Sequence, residues 1–125
     1  MIQPEELRLG NKVLRKGLMY DDDKYYITIV DHNDIAACVI NSENFKPIPI
    51  TEDILLEYSF IEDYRSEWTV KYSHERYTMV GYEWNKNFGW RFRYYGAMLS
   101  YIEQLHQLQN IFYALMKVEL QIKNI

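Results

Sequence analysis

Near the C-terminus apolar residues return at steps of three and four: Leu99, Ile102, Leu105, Leu108, Phe112, Leu115 and Met116. Glu103, Gln104, Gln107, Asn110 and Lys117 fall mostly on the opposite side. This spacing predicts one amphipathic helix of about five turns that starts near Leu99 and lays an apolar stripe against a core. The runs before it follow a different period. EWTVKYS at 67–73, RYTMVGYEW at 76–84 and GWRFRYY at 89–95 alternate with a period of two and read as three antiparallel strands. Asn85, Lys86, Asn87 and Phe88 make a loop rich in residues that accept positive φ. A hairpin centred on Asn87 pairs Trp84 with Trp90 and Glu83 with Arg91, and it separates an aromatic face from a polar one.

The first half also favours strands. NKVLRKG at 11–17 is followed by YYITIV at 25–30 and IAACVI at 35–40, which flank the polar residues Asp31, His32, Asn33 and Asp34 and read as a hairpin. Apolar residues occupy both alternation phases, as expected of a small sheet that curls and is covered on two sides. Pro47 and Pro49 exclude a central strand and mark an extended edge segment. Thr51 is a suitable N-cap for a short helix, with Glu52 and Asp53 in the first turn favoured by the helix dipole. The expected fold class is α+β. A small SH3-like β half-barrel (1–50) precedes a short helix, a three-stranded antiparallel sheet and a long C-terminal amphipathic helix packed on that sheet (51–125), all within a single domain 1–125. A chain of 125 residues is long enough for one core.

Three islands carry a resemblance. Tyr101 and Ile102, the run LHQLQN (Leu105 to Asn110) and Phe112 to Leu115 resemble the C-terminal helix of a family of short bacterial proteins often found near prophage and other mobile-element genes, for which no activity is established. LRLGNKVL (Leu7 to Leu14) and PIPITEDILLEYSF (Pro47 to Phe60) are similar to that family's N-terminal and middle signatures. Members usually have a Gly-containing turn after the Ala-Leu pair, where this chain has Met116, Lys117 and Val118. The resemblance implies a fold and a mobile-element context, and it implies no active site.

Charge and composition narrow the functional classes. A net charge of -4 argues against holding nucleic acid through bulk electrostatics, which require a basic field. The single cysteine, Cys38, has no intramolecular disulfide partner, and no charged start followed by an apolar run suggests a signal peptide. No apolar stretch approaches the roughly 20 residues that span a bilayer, so the expected localisation is cytoplasmic.

Candidate chemistry is sparse. His32, His74 and His106 lack the spacing of a zinc site, and Asp21, Asp22 and Asp23 lack the Gly and distal Glu of a calcium loop, so they read as a solvated turn. Cys38 lies in an apolar run and reads as a buried, inert thiol. His106 shares its helix flank with Glu103 and Asn110, a pattern that can tune a base but more commonly forms a helical hydrogen-bond network. No catalytic residue, metal or cofactor is assigned. The outer face of the C-terminal sheet is the one candidate site: Lys71, Arg91 and Arg93 interleave there with Tyr77 and Tyr95. Basic and aromatic side chains in alternation hold phosphates and stack bases, and Tyr and Arg are also favoured at protein interfaces. The expectation is a non-enzymatic, phage- or prophage-encoded module that docks on a host or phage protein, with inhibition of a host factor as one form. The alternative is a nucleic-acid-binding accessory protein that uses the same face.

Overall fold

The computed structural model describes residues 2–17 and 24–122; the acidic run at 21–23 lies outside the described residues. The architecture is α+β, with two antiparallel sheets, neither closed into a barrel, and three α-helices among the described residues. No described helix is long and apolar enough to cross a membrane. The chain forms two compact units, one comprising the residues up to Pro49 with Gln104–Leu115, the other Ile50–Glu103 with the residues from Met116 on.

In the first unit β1 (Lys12–Lys16) lies between β2 (Tyr25–Ile29) and the two-residue β3 (Phe45–Lys46). β1 and β2 run antiparallel with Val13 opposite Thr28. Ile2, Val13, Val30, Cys38 and Phe45 form the core, with Leu7, Ile35 and Ala37 packed against it. Each large apolar side chain that leaves water here contributes about 1.5–3 kcal/mol.

The strand expected at 35–40 is a helix, α1 (His32–Ile40). Asp31 caps it: its carboxylate accepts from the Asp34 amide at 2.9 Å, and the Asp34 carboxylate accepts from the Asp31 amide at 3.0 Å. This reciprocal box satisfies amides that a helix start otherwise leaves unpaired, and the four polar residues read as a hairpin turn are the N-cap and the first three residues of the helix. Asp34 and Cys38, four residues apart, point inward, whereas Val39 and Ile40 are exposed. Arg15 of β1 pairs with the buried Asp34 carboxylate and so ties the helix to the sheet.

The C-terminal helix α3 spans Leu105–Met116, shorter than the spacing predicts. Leu105, Leu108 and Phe112 keep the apolar stripe and are fully buried. Leu99 belongs to a strand instead, because Gly96, at φ +79°, reverses the chain and sends 97–101 back along the sheet. Lys117 follows the helix in the left-handed region, at φ +61°, a conformation that favours glycine.

The second unit is built on a five-stranded antiparallel sheet, not a three-stranded one. Its strands β4 (Phe60–Arg65), β5 (Thr69–His74), β6 (Val80–Asn85), β7 (Gly89–Tyr94) and β8 (Ala97–Tyr101) follow one another in space as in sequence. The expected register is found, with Trp84 opposite Trp90 and Glu83 opposite Arg91. Phe60, Tyr72, Val80, Tyr82 and Phe92 are buried on one face. The helix α2 (Glu52–Glu57) packs beside β4, capped as expected by the Thr51 hydroxyl, which accepts from the Ile54 amide at 3.3 Å.

Asp31→Ala removes one half of the α1 capping box and is expected to lower the unfolding free energy by about 1 kcal/mol in denaturant titration, with an unchanged m-value. A strand at 35–40 would make the same substitution nearly neutral.

Candidate functional site

Alternation along β5, β6 and β7 places Lys71, Glu83 and Arg91 in one cross-strand row on the outer face of the second sheet, with Arg93 two residues along. Glu83 is the centre of this group and is only 4% exposed. Its carboxylate accepts from the Arg91 guanidinium at 2.7 Å and, through the other oxygen, from Arg93 Nε. Arg93 also donates to the Gly96 carbonyl at 2.8 Å, which fixes its direction. Among the described residues, Arg91 Nε is buried without a hydrogen-bond partner, and its guanidinium lies 5.5 Å from the Phe88 ring centroid. The Lys71 ammonium lies 5.9 Å from the Tyr64 ring.

Gly81 has no side chain and leaves a hollow of about 180 Å³ in this face, bordered by Asp63, Lys71, Ser73, Met79, Glu83 and Arg93. Glu83 thus pairs with Arg91 and Arg93, and Asp63 borders the same hollow as Lys71 and Arg93. The field over the sheet is largely spent within the protein.

The two tyrosines of the candidate site are not on the pleated face. β6 begins at Val80, so Tyr77 lies in the preceding turn, where its amide and that of Arg76 each donate to His74 Nδ1 at 3.1 Å. Tyr95 occupies the β7–β8 turn at φ +50°, packs edge-on against Tyr94 and is 72% exposed. Both turns lie at one end of the sheet, joined by a 2.9 Å bond from the Tyr95 amide to the Met79 carbonyl. The structure thus brings Lys71, Arg91 and Arg93 together around Glu83 and leaves Tyr77 and Tyr95 at the rim.

Sequence reasoning missed the edges of the face. Ile61 and Tyr64 of β4 and Met98 and Tyr101 of β8 are exposed on the same side. A period-two signal exists in FIEDYR at 60–65, but the bulge between Glu62 and Tyr64 breaks its phase. For 97–101 the helical spacing through Leu99 and Ile102 hid the strand.

The residues considered for catalysis, Cys38 and His106, are buried. Cys38 is buried, and burial raises its thiol pKa, with Glu5 and Glu6 acting in the same direction. His106 is fully buried within α3, its Nε2 3.7 Å from the Glu6 carboxylate, beyond hydrogen-bond distance. Burial depresses its pKa, and Glu6 opposes the shift. His74 is depressed by burial as well, with Arg76 assisting and Glu75 opposing. The two backbone amides on His74 Nδ1 require an acceptor there and thus the neutral ring. Among the described residues no three His, Cys, Asp or Glu side chains come together so as to hold a metal ion.

Two expectations follow for stability. Glu83→Ala leaves two cations beside a buried site and is expected to cost on the order of 3 kcal/mol in denaturant unfolding, at the low end for breaking a buried pair because Arg93 keeps some solvent. The second concerns pH. Below the ordinary histidine value of 6.5 the unfolded chain takes up protons that the native His74 and His106 refuse, so stability falls as pH drops from about 7 towards 5. Denaturant titrations across this window should show a shallower decline for His106→Leu than for the wild type.

Comparison of the chain with protein-family models, with curated proteins and with solved structures gave no significant match.

Proposed function

We propose that this chain is a non-enzymatic binding module that docks on another protein through the outer face of its five-stranded sheet. The observation that carries this reading is the buried Glu83 carboxylate. It takes up Arg91 and Arg93, so the face offers little free positive charge, while Tyr64 and Tyr101, each 54% exposed, flank it with large half-polar rings. A charge-compensated centre between aromatic and apolar edges suits the desolvated middle of a protein interface better than a phosphate backbone. The net charge of -4 acts in the same direction. The reading includes a cytoplasmic location and, from the three sequence islands, an origin on a prophage or related element, with a host or phage protein as the partner. It also treats the three-stranded sheet of the first unit as SH3-like, with α1 in place of a further strand.

Binding measurements separate this function from nucleic-acid recognition. Single-stranded DNA and RNA are expected to bind no tighter than roughly 10⁻⁴ to 10⁻⁶ M at physiological salt, the non-specific range. A protein captured from a host lysate should dissociate faster from Tyr64→Ala, Tyr101→Ala or Tyr95→Ala, with weak dependence on salt. A nanomolar oligonucleotide complex whose affinity falls steeply with salt, and more gently after Arg91→Ala with Arg93→Ala, would replace the protein partner with a nucleic acid.

A further inference from the structure

The opposite face of the same sheet holds a second feature, independent of the outer face. Val70, Trp84 and Trp90 stand side by side on β5, β6 and β7 through the pairs Val70 with Trp84 and Trp84 with Trp90. Tyr72 continues this surface, its ring centroid 6.1 Å from that of Trp90 and tilted by 42°. The buried Tyr82 lies 5.3 Å from Trp90 on another side and props the indole in place. Val70, Tyr72, Trp84 and Trp90, with Glu52 at the start of α2 and Arg65 at the end of β4, line a cavity of about 240 Å³. Neither tryptophan is fully buried, so part of each ring is open to a ligand.

The charges at the rim are unequal. Arg65 pairs with Glu52 and also with Glu62, its Nε donating to the Glu62 carboxylate at 2.7 Å. Two carboxylates share one guanidinium, and one negative charge is left over. Glu52 also accepts the Tyr72 hydroxyl, and that bond, with Arg65 beside it, keeps its pKa below the usual carboxylate range. Its negative charge is therefore present throughout the neutral range. Glu52, with its side chain 45% exposed, borders the cavity itself, while Glu62 acts from outside the lining by sharing the Arg65 guanidinium.

Aromatic faces carry negative potential, and a net negative rim adds to it, so the cavity favours a cation over a neutral or anionic ligand. The walls also offer little hydrogen bonding. The indole N–H groups only donate, and Glu52 Oε1 already takes both the Tyr72 hydroxyl and Arg65. A bare ammonium needs acceptors for its protons, whereas a methylated ammonium needs none and is attracted through its methyl groups. We infer that the cavity formed by Tyr72, Trp84 and Trp90 beneath Glu52 is a binding site for a methylated ammonium group, carried by a small molecule such as choline or by a methylated lysine side chain.

The test is a titration of the intact protein, followed by tryptophan fluorescence, with tetramethylammonium and choline as cations. The neutral isostere 3,3-dimethyl-1-butanol matches choline in shape without its charge. Saturable changes with both cations and a response to the isostere at least tenfold weaker are expected. Equal response to the isostere, or no saturable response to either cation, overturns the proposal. Trp90→Ala should abolish the response, and Glu52→Gln should weaken it several-fold while the melting temperature stays near that of the wild type. If Trp90→Ala does not fold, Glu52→Gln and the charge comparison decide, and undiminished affinity in Glu52→Gln overturns the electrostatic part. A peptide with one trimethyllysine, compared with its unmethylated form, distinguishes the sources. Tighter binding of the methylated peptide than of choline identifies a protein side chain, and the reverse identifies a small molecule.

Discussion

The first unit depends on a set of amide hydrogen bonds between segments about a hundred residues apart. Asn110 of α3 accepts from Asn11 Nδ2 at 2.8 Å and from Arg8 Nε at 3.1 Å, and it donates to the Glu6 carbonyl at 2.8 Å. Beside it in the chain, Gln109 accepts from the Lys12 amide at 2.8 Å at the start of β1. Apolar contact alone would allow α3 to slide or rotate, since Leu105, Leu108 and Phe112 are satisfied by any greasy surface. Fixed donors and acceptors are not so permissive. Asn110 and Gln109 set the register of the helix, and a displaced helix would leave these polar groups buried without partners. The run LHQLQN and the run LRLGNKVL, which stand out in the sequence at opposite ends, meet in this clasp.

A comparable logic governs the second sheet. Glu83 lies at the centre of β6 between cations on β5 and β7, and its near-complete burial makes the ion pairs with Arg91 and Arg93 obligatory. A carboxylate there without partners would be strongly disfavoured, and so would the two guanidinium groups without it. The pairing rigidifies the middle of the sheet and removes most of its positive field. What the outer face offers to a partner is then decided at its edges, by Ile61, Tyr64, Met98 and Tyr101.

The two faces of one sheet thus take different chemical roles. On one side charges cancel in pairs and rings stand at the margin. On the other, rings form a continuous wall and the charges at the rim do not cancel. Period-two alternation keeps these environments apart, because a one-residue slip of β6 would exchange Glu83 with Trp84 and destroy both.

The sequence by itself determined the elements whose information is local. Thr51 followed by Glu52 and Asp53 specified the start of α2, and the Asn-rich loop with flanking aromatics specified the β6–β7 register to the residue. The grouping of Arg91 and Arg93 followed from that register, and period-two alternation along β5 put Lys71 on the same face. Tertiary structure decided the rest. Residues 35–40 carry strand-like composition, yet Asp31 and Asp34 cap them as a helix and the buried pair with Arg15 holds it; propensity for Ile and Val is weaker than a satisfied helix start. The segment 97–101 has helical spacing, but the open edge of β7 offers backbone partners that a strand satisfies. Tyr77 and Tyr95 left the pleated face because turn geometry, not alternation, governs the ends of strands. Burial of Glu83, the excess charge around Arg65 and the cavity between the tryptophans depend on side chains from several strands and a helix, and no local pattern in the chain encodes such a meeting.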